Sequence, residues 1–311
     1  MPKNIANPIE TVDRMATNHT IIPIVLSADN NYASQMYITM FSTLKNANEN
    51  TFCDFYLLVH PNFEQRYKDE ITKLGGKYNC KISFIDMGTA FADVPSIGWP
   101  AAAYYRLATA NLLPNHAKCL YLDVDILVRH NLKDLYNTDI DSCYVAGVKD
   151  MGIIDNEWQL RYTKFDLQIP DPHQYINSGV LLMNLDLIRK TNFVESWFFT
   201  IKHGIDGKKS LVYPDQDALN KLCYDKIKFL DPKYNLFSYQ LARTKKSQEL
   251  QKKLENLFGK EQFEKACVNP SIVHFAWLKS WRNPSLPYAD EWWECARQTP
   301  FYEEILHKRI D

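Results

Sequence analysis

Short, uninterrupted apolar runs alternate with helical patterns along this chain, and that alternation constrains its fold more than any other feature. Ile21–Leu26 is apolar throughout, and Phe55–Val59 and Cys119–Leu122 are similar runs of strand length. Strands without polar alternation are typical of a parallel sheet that helices cover on both faces. The sequence therefore predicts an α/β fold. Further strands are predicted at Lys81–Ile85, Tyr144–Val148 and Gly179–Met183, and helices at Met36–Leu44, Phe63–Leu74, Tyr104–Leu113 and Asp215–Tyr224.

The length of 311 residues allows two domains or one large α/β domain. We predict a polar leader over residues 1–19, a main domain over 20–242 and a small helical region over 243–311. In the last region, Leu250, Leu254 and Leu257 recur at helical spacing, and Gly259 is a predicted stop.

The composition excludes several classes of protein. Lysine and arginine total 36 and aspartate and glutamate total 37, so the chain lacks the basic excess of a nucleic-acid-binding protein. No apolar run approaches the roughly 20 residues of a membrane-spanning helix, and the N-terminus has no signal-peptide core. We therefore expect a cytoplasmic protein. The seven cysteines form no C-x-x-C pair, and the GxGxxG, P-loop and GxSxG motifs are absent.

Two aspartates, Asp123 and Asp125, flank Val124 directly after the predicted strand Cys119–Leu122. In open α/β sheets, ligands bind outside the carboxyl ends of the strands. Carboxylates there need a cation or hydrogen bonds to offset their charge. Hard oxygen ligands suit Mn²⁺ or Mg²⁺ bound together with a diphosphate. The residues alone leave a second interpretation open, in which both aspartates cap the following turn.

Two other Asp-x-Asp triplets have different surroundings. Asp139 and Asp141 lie in a polar stretch and are predicted to belong to a turn. Asp215 and Asp217 follow Pro214, where the spacing alone favours a helix cap.

Six short blocks, spread over about residues 21–282, are specific when they are taken together. In order, they are Leu26-Ser-Ala-Asp-Asn-Asn-Tyr32, Tyr105-Arg106-Leu107, Leu120-Tyr-Leu-Asp-Val-Asp125, Asn177-Ser-Gly-Val-Leu-Leu-Met-Asn184, Asp215-Gln-Asp217-Ala-Leu-Asn220 and His274-Phe…Lys279-Ser-Trp281. The set resembles glycosyltransferase family 8, which includes bacterial lipopolysaccharide galactosyl- and glucosyltransferases and is similar in fold to glycogenin.

This resemblance implies a single Rossmann-like nucleotide-sugar-binding domain of the GT-A type, with a mixed, mostly parallel sheet. The helical C-terminal region would contribute the His/Lys block to the site. The resemblance also implies a retaining transferase that uses UDP-galactose or UDP-glucose and Mn²⁺, with Mg²⁺ as the alternative ion. Asp123, Asp125 and His274 would hold the metal.

The resemblance also assigns roles to other residues. Gln216 would lie on the β face of the anomeric carbon and Asp215 would bond sugar hydroxyls, so these two are the catalytic candidates. Because an amide is a poor nucleophile, we expect front-face attack, with Asp215 as the alternative nucleophile. The nucleotide and donor contacts would be Ser27, Ala28, Asp29, Asn31, Tyr32, Arg106, Val124, Asp150, Asn177 and Lys279.

The last block departs from the family pattern, which usually has a Gly between the His and a Lys-Pro-Trp. Here Trp277 stands near the Gly position, Ser280 replaces the Pro, and the stretch from His274 to Lys279 is one residue shorter. A glycine would let the backbone approach the diphosphate closely. The diphosphate contact and the register of Lys279 therefore stay open.

No motif specifies the acceptor, which we expect to be a saccharide or a glycolipid. Phe91–Ala103 and Met151–Gln174 are predicted to be long loops beside the site. Trp99 and Trp158 lie within them and are candidates for stacking on a sugar or for packing. The aromatic and basic C-terminal tail allows a peripheral membrane contact, but its interspersed acids favour intramolecular packing.

Three functions are consistent with these observations. The first is a metal-dependent, retaining hexosyltransferase that builds a bacterial surface glycan. The second is a metal-dependent nucleotidyltransferase, which would not need His274. The third is a non-catalytic nucleotide-sugar-binding protein, against which the complete set of motif residues argues. The sequence leaves the donor sugar, the linkage and the oligomeric state open.

Overall fold

The computed structural model of the chain describes residues 19–89, 91, 100–205 and 211–310, so the predicted leader lies almost wholly outside the described residues. The described part is an α/β structure, as the apolar runs predict. Its strands are β1 (Thr20–Ala28), β2 (Thr51–Val59), β3 (Cys80–Asp86), β4 (Lys118–Leu122), β5 (Ile126–Val128), β6 (Val145–Lys149), β7 (Ile176–Asn184), β8 (Ile227–Phe229), β9 (Leu236–Phe237) and β10 (Ile272–His274).

Helices follow most of these strands. They are α1 (Ala33–Lys45), α2 (Gln65–Gly75), α3 (Thr109–Leu112), α4 (Lys133–Tyr136), α5 (Met151–Ile154), α6 (Glu157–Arg161), α7 (Leu185–Lys190), α8 (Phe193–His203), α9 (Pro214–Cys223), α10 (Ser238–Thr244), α11 (Gln248–Phe258), α12 (Lys260–Val268), α13 (Ala289–Arg297) and α14 (Tyr302–Ile310).

One sheet of the described part contains seven strands in the order β3-β2-β1-β4-β7-β6-β8. Neighbouring strands are parallel except at β7, which is antiparallel to both β4 and β6. The mixed, mostly parallel sheet implied by the family resemblance is confirmed, whereas a purely parallel sheet is wrong at β7. The apolar pattern could not reveal this, because a strand buried on both faces reads the same in either direction.

The sheet separates two apolar clusters, because successive side chains of a strand point to opposite faces. In β1, Ile24 and Leu26 join the cluster that includes α1 and α13, whereas Val25 joins the cluster that includes α8 and α9. Trp292 and Trp293 of α13 are buried in the first cluster. The tail therefore packs within the molecule, as its interspersed acids indicate.

Two predicted segments differ from the structure. Met151–Gln174 is not a loop, because it contains α5, α6, a π-helical turn at Tyr162–Asp166 and a 3₁₀ turn at Pro172–Gln174. Asp150 and Asn156 cap α5 and α6 with their side chains, and such short helices have too few turns to show a periodic pattern. The helix predicted at Tyr104–Leu113 begins earlier, as a 3₁₀ segment at Ala101–Ala108 that leads into α3.

The C-terminal region contains α11 and α12, as the leucine spacing predicts. Gly259 separates them with a φ of +86°, a conformation that favours glycine, and the predicted stop is confirmed. Among the helices of the described part, none is both long enough and apolar enough to cross a membrane. Most of the predicted loop Phe91–Ala103, including Trp99, lies outside the described residues.

Candidate active site

The site lies where the strand order reverses. The chain passes from β1 outward to β2 and β3, and then returns to the other side of β1 with β4. Ligands bind in the crevice at such a reversal in open α/β sheets. The Leu26–Tyr32 block ends β1, and the Asp123–Asp125 block ends β4. Two of the blocks that are far apart in sequence therefore meet here.

A small second sheet brings His274 to the acidic pair. Its strand order is β5-β10-β9, and β5 begins one residue after Asp125. His274 ends β10 and pairs with Ile126, and the amide of Phe275 donates to the carbonyl of Asp125 over 2.9 Å. This antiparallel pairing is the reason that a residue 149 positions away reaches the acidic pair.

The three predicted metal ligands form one cluster. One ligand atom each of Asp123, Asp125 and His274 lies within 4.8 Å of the other two. Gly179 of β7 makes room for them, because a Cβ at that position would lie 2.4 Å from His274 Cε1 and 2.6 Å from Asp123 Oδ2. Any larger residue at Gly179 would displace two of the three candidate ligands.

Asn235 orients the histidine. Its amide nitrogen donates to Asn177 Oδ1 over 2.9 Å, so its Oδ1 is the atom that accepts from His274 Nδ1, also over 2.9 Å. In a neutral ring, the other nitrogen, Nε2, then carries no proton, and it lies 3.1 Å from Asp125 Oδ1. Two acceptors at this distance require a proton or a cation between them. The donor set of two carboxylates and one imidazole suits a divalent metal ion.

Lys279 lies on the other side of the acidic pair. Its ammonium group contacts Asp125 Oδ2, and although burial opposes the charge, Asp125 raises the pKa of Lys279 above its ordinary value. Burial also works against ionisation of Asp125, but the adjacent Lys279 ammonium holds the pKa of Asp125 well below its usual range. The register of the last block therefore places Lys279 in the site.

Arg106 joins the acidic pair to the rest of the site. Its guanidinium donates to the Ser178 carbonyl over 2.6 Å and to Asp123 Oδ1 over 2.9 Å, and it lies 3.3 Å from Asp215 Oδ2. Burial opposes its charge, but Asp123 and then Asp215 raise the pKa of Arg106. Because Arg106 is buried, these contacts are not an ion pair on a helix surface.

An amide and carboxylate network faces the metal cluster. Gln216 Oε1 accepts from Asn177 Nδ2 and from the Ser178 amide, both over 2.9 Å, and Gln216 Nε2 donates to Asp150 Oδ2 over 3.1 Å. A register shift at the end of β6, next to Asp150, turns the chain into α5. These predicted donor-sugar residues therefore form one continuous hydrogen-bonded wall.

The start of α9 supplies two buried carboxylates. Asp215 accepts from the Ser178 hydroxyl over 3.1 Å and faces Arg106, so it is not a cap. Asp217 is fully buried and accepts from the Tyr175 hydroxyl, from the Tyr162 hydroxyl and from the Tyr213 amide at the helix start. The cap interpretation from spacing alone is therefore wrong for Asp215 and partly right for Asp217. Burial raises the pKa of Asp150 and of Asp215, and it raises that of Asp217 to about 6.

One cavity of about 370 Å³ collects most of the predicted residues. Four carboxyl groups and two basic side chains line it, so the acidic groups outnumber the basic ones by two. That excess of negative charge suits a divalent cation. The predicted residues in the lining are Tyr32, Arg106, Asp123, Asp125, Asp150, Asn177, Asp215, Gln216, His274 and Lys279.

The other predicted nucleotide residues are not part of the lining of this cavity. The Asp29 side chain accepts from the Asn31 amide over 2.9 Å, which is the ordinary polar turn that the local sequence suggests. Ser27 is buried and bonds the Tyr121 hydroxyl over 2.8 Å, and Ala28 is buried beside it. The carbonyl of Val124 accepts from Thr39. Asp29 and Asn31 are thus hydrogen-bonded to each other. Of this block, only Tyr32 lines the cavity.

Sequence reasoning missed several residues of the site. Ser178, Gln159 and Tyr213 line the cavity, and Asn235 supports His274 from behind. Asn235 has no local signal, because its role depends on the pairing of β9 with β10. Ser178 lies inside a quoted block, where its carbonyl and hydroxyl contacts to Arg106 could have been suspected.

Trp277, the residue near the family's glycine position, also lines the cavity. Its φ is +66°, in the left-handed region that favours glycine. The backbone at this position therefore keeps the conformation that a glycine would adopt freely, although the side chain is a large one.

Three further features lie outside the candidate site. The Asp139 side chain accepts from the Asp141 amide over 3.0 Å and both residues are exposed, so the predicted turn is confirmed. Trp158 stacks on Tyr162 with ring centroids 5.4 Å apart, yet it stays 57% exposed. A larger, open hollow of about 980 Å³ lies along α12, where Asp231 and Lys233 also line it, and it contains none of the predicted site residues.

Residues 23–284 match Glycosyl transferase family 8. The chain belongs to this family. It is 30% identical over 281 residues to General stress protein A of Bacillus subtilis, which covers 88% of this chain and 92% of that protein. It is 28% identical over 298 residues to Lipopolysaccharide glucosyltransferase WaaO of Escherichia coli, covering 93% and 79% respectively.

Solved structures share the fold. The bifunctional glycosyltransferase WbbM superposes with a TM-score of 0.81 at 20% identity, over 98% of this chain and 53% of WbbM, so the chain spans about half of that protein. LgtC, a galactosyltransferase solved with donor and acceptor sugar analogues, superposes with a TM-score of 0.72 at 22% identity, over 90% of this chain and 96% of LgtC. These likenesses confirm the GT-A type fold of this family member.

Proposed function

We propose that this family 8 protein is a retaining hexosyltransferase that moves galactose or glucose from a UDP-sugar to a saccharide or glycolipid acceptor in a metal-dependent reaction. The observation that carries the proposal is the cavity in which the Asp123, Asp125 and His274 cluster faces the wall of Asp150 and Gln216. One side suits a metal with a diphosphate, and the other suits the hydroxyls of a sugar. Relatives named as lipopolysaccharide glucosyltransferases support a bacterial surface glycan as the product.

Different residues would bind different parts of the donor. Asp123, Asp125 and His274 would hold Mn²⁺, or alternatively Mg²⁺, which neutralises charge on the diphosphate when it is bound. Lys279, next to Asp125, would stabilise the negative charge that grows on the departing UDP. The half-buried Tyr32 ring offers the uracil a stacking surface at the end of the cavity.

The hydrogen bonds of the wall favour front-face attack. Gln216 Oε1 already accepts two hydrogen bonds, and Asp215 is ion-paired to Arg106, which lowers its nucleophilicity. In the proposed reaction, the bond from the anomeric carbon to the phosphate oxygen breaks as the bond to the acceptor oxygen forms on the same face. The proton of the acceptor hydroxyl passes to the departing phosphate oxygen, and the products are the glycoside and UDP.

UDP release tests the proposed function directly. We expect the wild type with Mn²⁺ to release UDP from UDP-galactose or UDP-glucose, and more slowly or not at all from UDP-N-acetylglucosamine. Asp125→Asn should abolish that release, because it removes one charge from the metal cluster. Asp141→Asn, in the exposed turn, is the matched control and should behave as the wild type.

Other outcomes would favour the remaining candidates. Pyrophosphate release from a nucleoside triphosphate, without UDP release from any sugar donor, would support a nucleotidyltransferase. Tight binding of UDP-sugar without turnover would support a non-catalytic binding protein.

A Gln216 variant and a search for a covalent intermediate test the front-face geometry of attack. Gln216→Ala should slow transfer by roughly 10- to 100-fold and leave measurable activity, because Gln216 organises Asp150 and Asn177 rather than forming a bond to the sugar. Mass spectrometry of the enzyme quenched during turnover checks the intermediate. A glycosyl adduct on Asp215 in the wild type would contradict front-face attack.

A further inference from the structure

The backbone at Trp277 adopts a conformation that tryptophan rarely takes. Its φ is +66°, and the amide of Leu278 donates to the carbonyl of Ala276 over 2.8 Å, which closes a three-residue turn around Trp277. A γ-turn with positive φ is rare and strained. Strained residues of this kind persist where the surroundings fix them, and they cluster at binding and active sites.

The indole ring lies at the mouth of the cavity. It meets Tyr213 edge to face, with ring centroids 6.1 Å apart, and its Nε1 lies 3.1 Å from the position that a Cβ on Gly152 would take. The ring therefore rests against the start of α5, directly after Asp150. It lines the cavity and is nevertheless 52% exposed, whereas Trp292 is fully buried. Packing of the core does not account for Trp277.

An aromatic face beside polar groups suits a pyranose. The C–H face of a sugar packs on an aromatic ring, and its hydroxyls bond carboxylates and amides. The wall of Asp150, Asn177 and Gln216 is at least nine-tenths buried and lies deep in the cavity, where the donor hexose would bind. The exposed Trp277 ring at the mouth of the cavity is therefore placed to contact the acceptor sugar, which arrives from solvent.

We propose that Trp277 is the platform on which the acceptor sugar stacks, and that it is a specificity-determining residue of this chain; the inference rests on the proposed hexosyl transfer. The strained turn aims the ring across the mouth of the cavity. The tight segment between His274 and Lys279 holds it there.

The test compares transfer to a sugar with transfer to water. The probes are UDP-galactose and UDP-glucose as donors with Mn²⁺, and methyl β-galactoside, methyl β-glucoside and lactose as acceptors. For Trp277→Gly and Trp277→Ala, we expect the ratio of sugar-stimulated to water-dependent UDP release to fall by roughly 2- to 10-fold. Trp277→Phe should keep most of the ratio. Phe199→Ala, which removes an exposed ring on α8, is the control and should match the wild type.

The glycine variant separates the ring from the backbone, because glycine accepts the positive φ without strain. Retention of the ratio in Trp277→Gly would overturn the proposal. An equal fall in both kinds of release would also overturn it, because the ring would then serve the donor. The proposal is also overturned if no probe sugar raises UDP release by the wild type above its release of UDP in water alone.

A second readout does not depend on the variants being active. The indole N–H resonance of Trp277, assigned by its absence in Trp277→Phe, should shift when lactose is added to the protein with UDP and the diamagnetic ion Mg²⁺. An unmoved resonance would count against the platform. Failure of the proposed function is recognised separately, because the wild type would then release no UDP from either donor.

Discussion

At the scale of single residues, Asn235 shows how a side chain outside the cavity lining controls the site. It is fully buried, accepts from His274 Nδ1 and donates to Asn177, so it links the candidate metal ligands to the proposed donor-sugar wall. Partners of this kind fix the tautomer and the orientation of a metal-binding histidine. Substitution of Asn235 should therefore lower the affinity of the site for its metal ion.

Asn235→Ala should lower the affinity for Mn²⁺, measured in the presence of UDP, by roughly 10- to 100-fold. Asn235→Asp keeps an acceptor for His274 and should have the smaller effect. Titration calorimetry, or the electron paramagnetic resonance signal of free Mn²⁺, gives the affinity without any need for turnover. Asn269→Ala is a matched control, because Asn269 also bonds a histidine ring, His130, at a remote and exposed position. Equal affinities for Asn235→Ala and the wild type would contradict this role.

The residues that the sequence could predict are those that carry a local pattern. Asp123 and Asp125 follow an apolar strand, and Gln216 lies in a recognisable block. His274 could be named only through the family resemblance, because the pairing of β10 with β5 brings it to the site. Asn235 could not be named at all, since long-range strand pairing leaves no trace in a short window of sequence.

At the scale of elements, the start of α9 is held by Asp217. The carboxylate accepts hydrogen bonds from Tyr162 of the segment after α6 and from Tyr175 just before β7. It also accepts from the Tyr213 amide, which would otherwise lack an intrahelical partner. Asp217 therefore ties three segments together and fixes the position of Asp215 and Gln216 on the same helix.

The raised pKa of Asp217 predicts a pH-dependent stability. Burial raises this pKa to about 6 from an ordinary value of 3.8. The folded state therefore favours the protonated form, so its contribution to stability is fully present below pH 3.8 and is lost as the pH rises through 6. Two pKa units correspond to about 3 kcal/mol.

Asp217→Asn should remove this pH dependence. Relative to the wild type, the free energy of unfolding of the variant should rise by up to about 3 kcal/mol between about pH 4 and pH 7. Urea unfolding followed by circular dichroism across this range gives the difference. Asp141→Asn, at an exposed turn, should differ from the wild type by a constant amount. Parallel curves for Asp217→Asn and the wild type would contradict a raised pKa.

Element boundaries could be predicted only where one periodic pattern dominates. Six of the seven strands of the central sheet, and α9, were predicted to within a few residues, because they are apolar runs or follow a proline. The seventh strand, β8, was not predicted. The short helices α5 and α6 were not predicted, because side-chain caps start them and tertiary packing completes them. The direction of β7 was equally beyond the local pattern.

At the scale of the whole molecule, the C-terminal helices support the nucleotide end of the site. Trp292 of α13 packs against Trp281 with ring centroids 5.4 Å apart, and Trp281 meets the Tyr32 ring at 5.9 Å. All three belong to, or pack against, the apolar cluster that also contains Leu26 of β1. The core and the site are therefore continuous across the boundary predicted after residue 242.

Trp292→Ala should destabilise the protein by about 3–5 kcal/mol, because it empties a fully buried position of the cluster. It should also weaken UDP binding in conditions where the protein is still folded, since Trp281 loses its support beneath Tyr32. Trp292→Phe should be much milder, because it keeps most of the ring volume. It also removes an indole N–H that has no hydrogen-bond partner among the described residues.

Unfolding of the wild type should be a single transition, with UDP binding, tryptophan fluorescence and far-ultraviolet circular dichroism lost together. The reason is that one apolar cluster contains strands of the central sheet together with α13, so neither part can lose its packing alone. Urea titrations with the three probes give the midpoints, and Phe199→Ala, at an exposed position, should leave them unchanged. A C-terminal transition that precedes the loss of UDP binding would show that residues 243–311 unfold independently, and the effect of Trp292 on the site would then need another route.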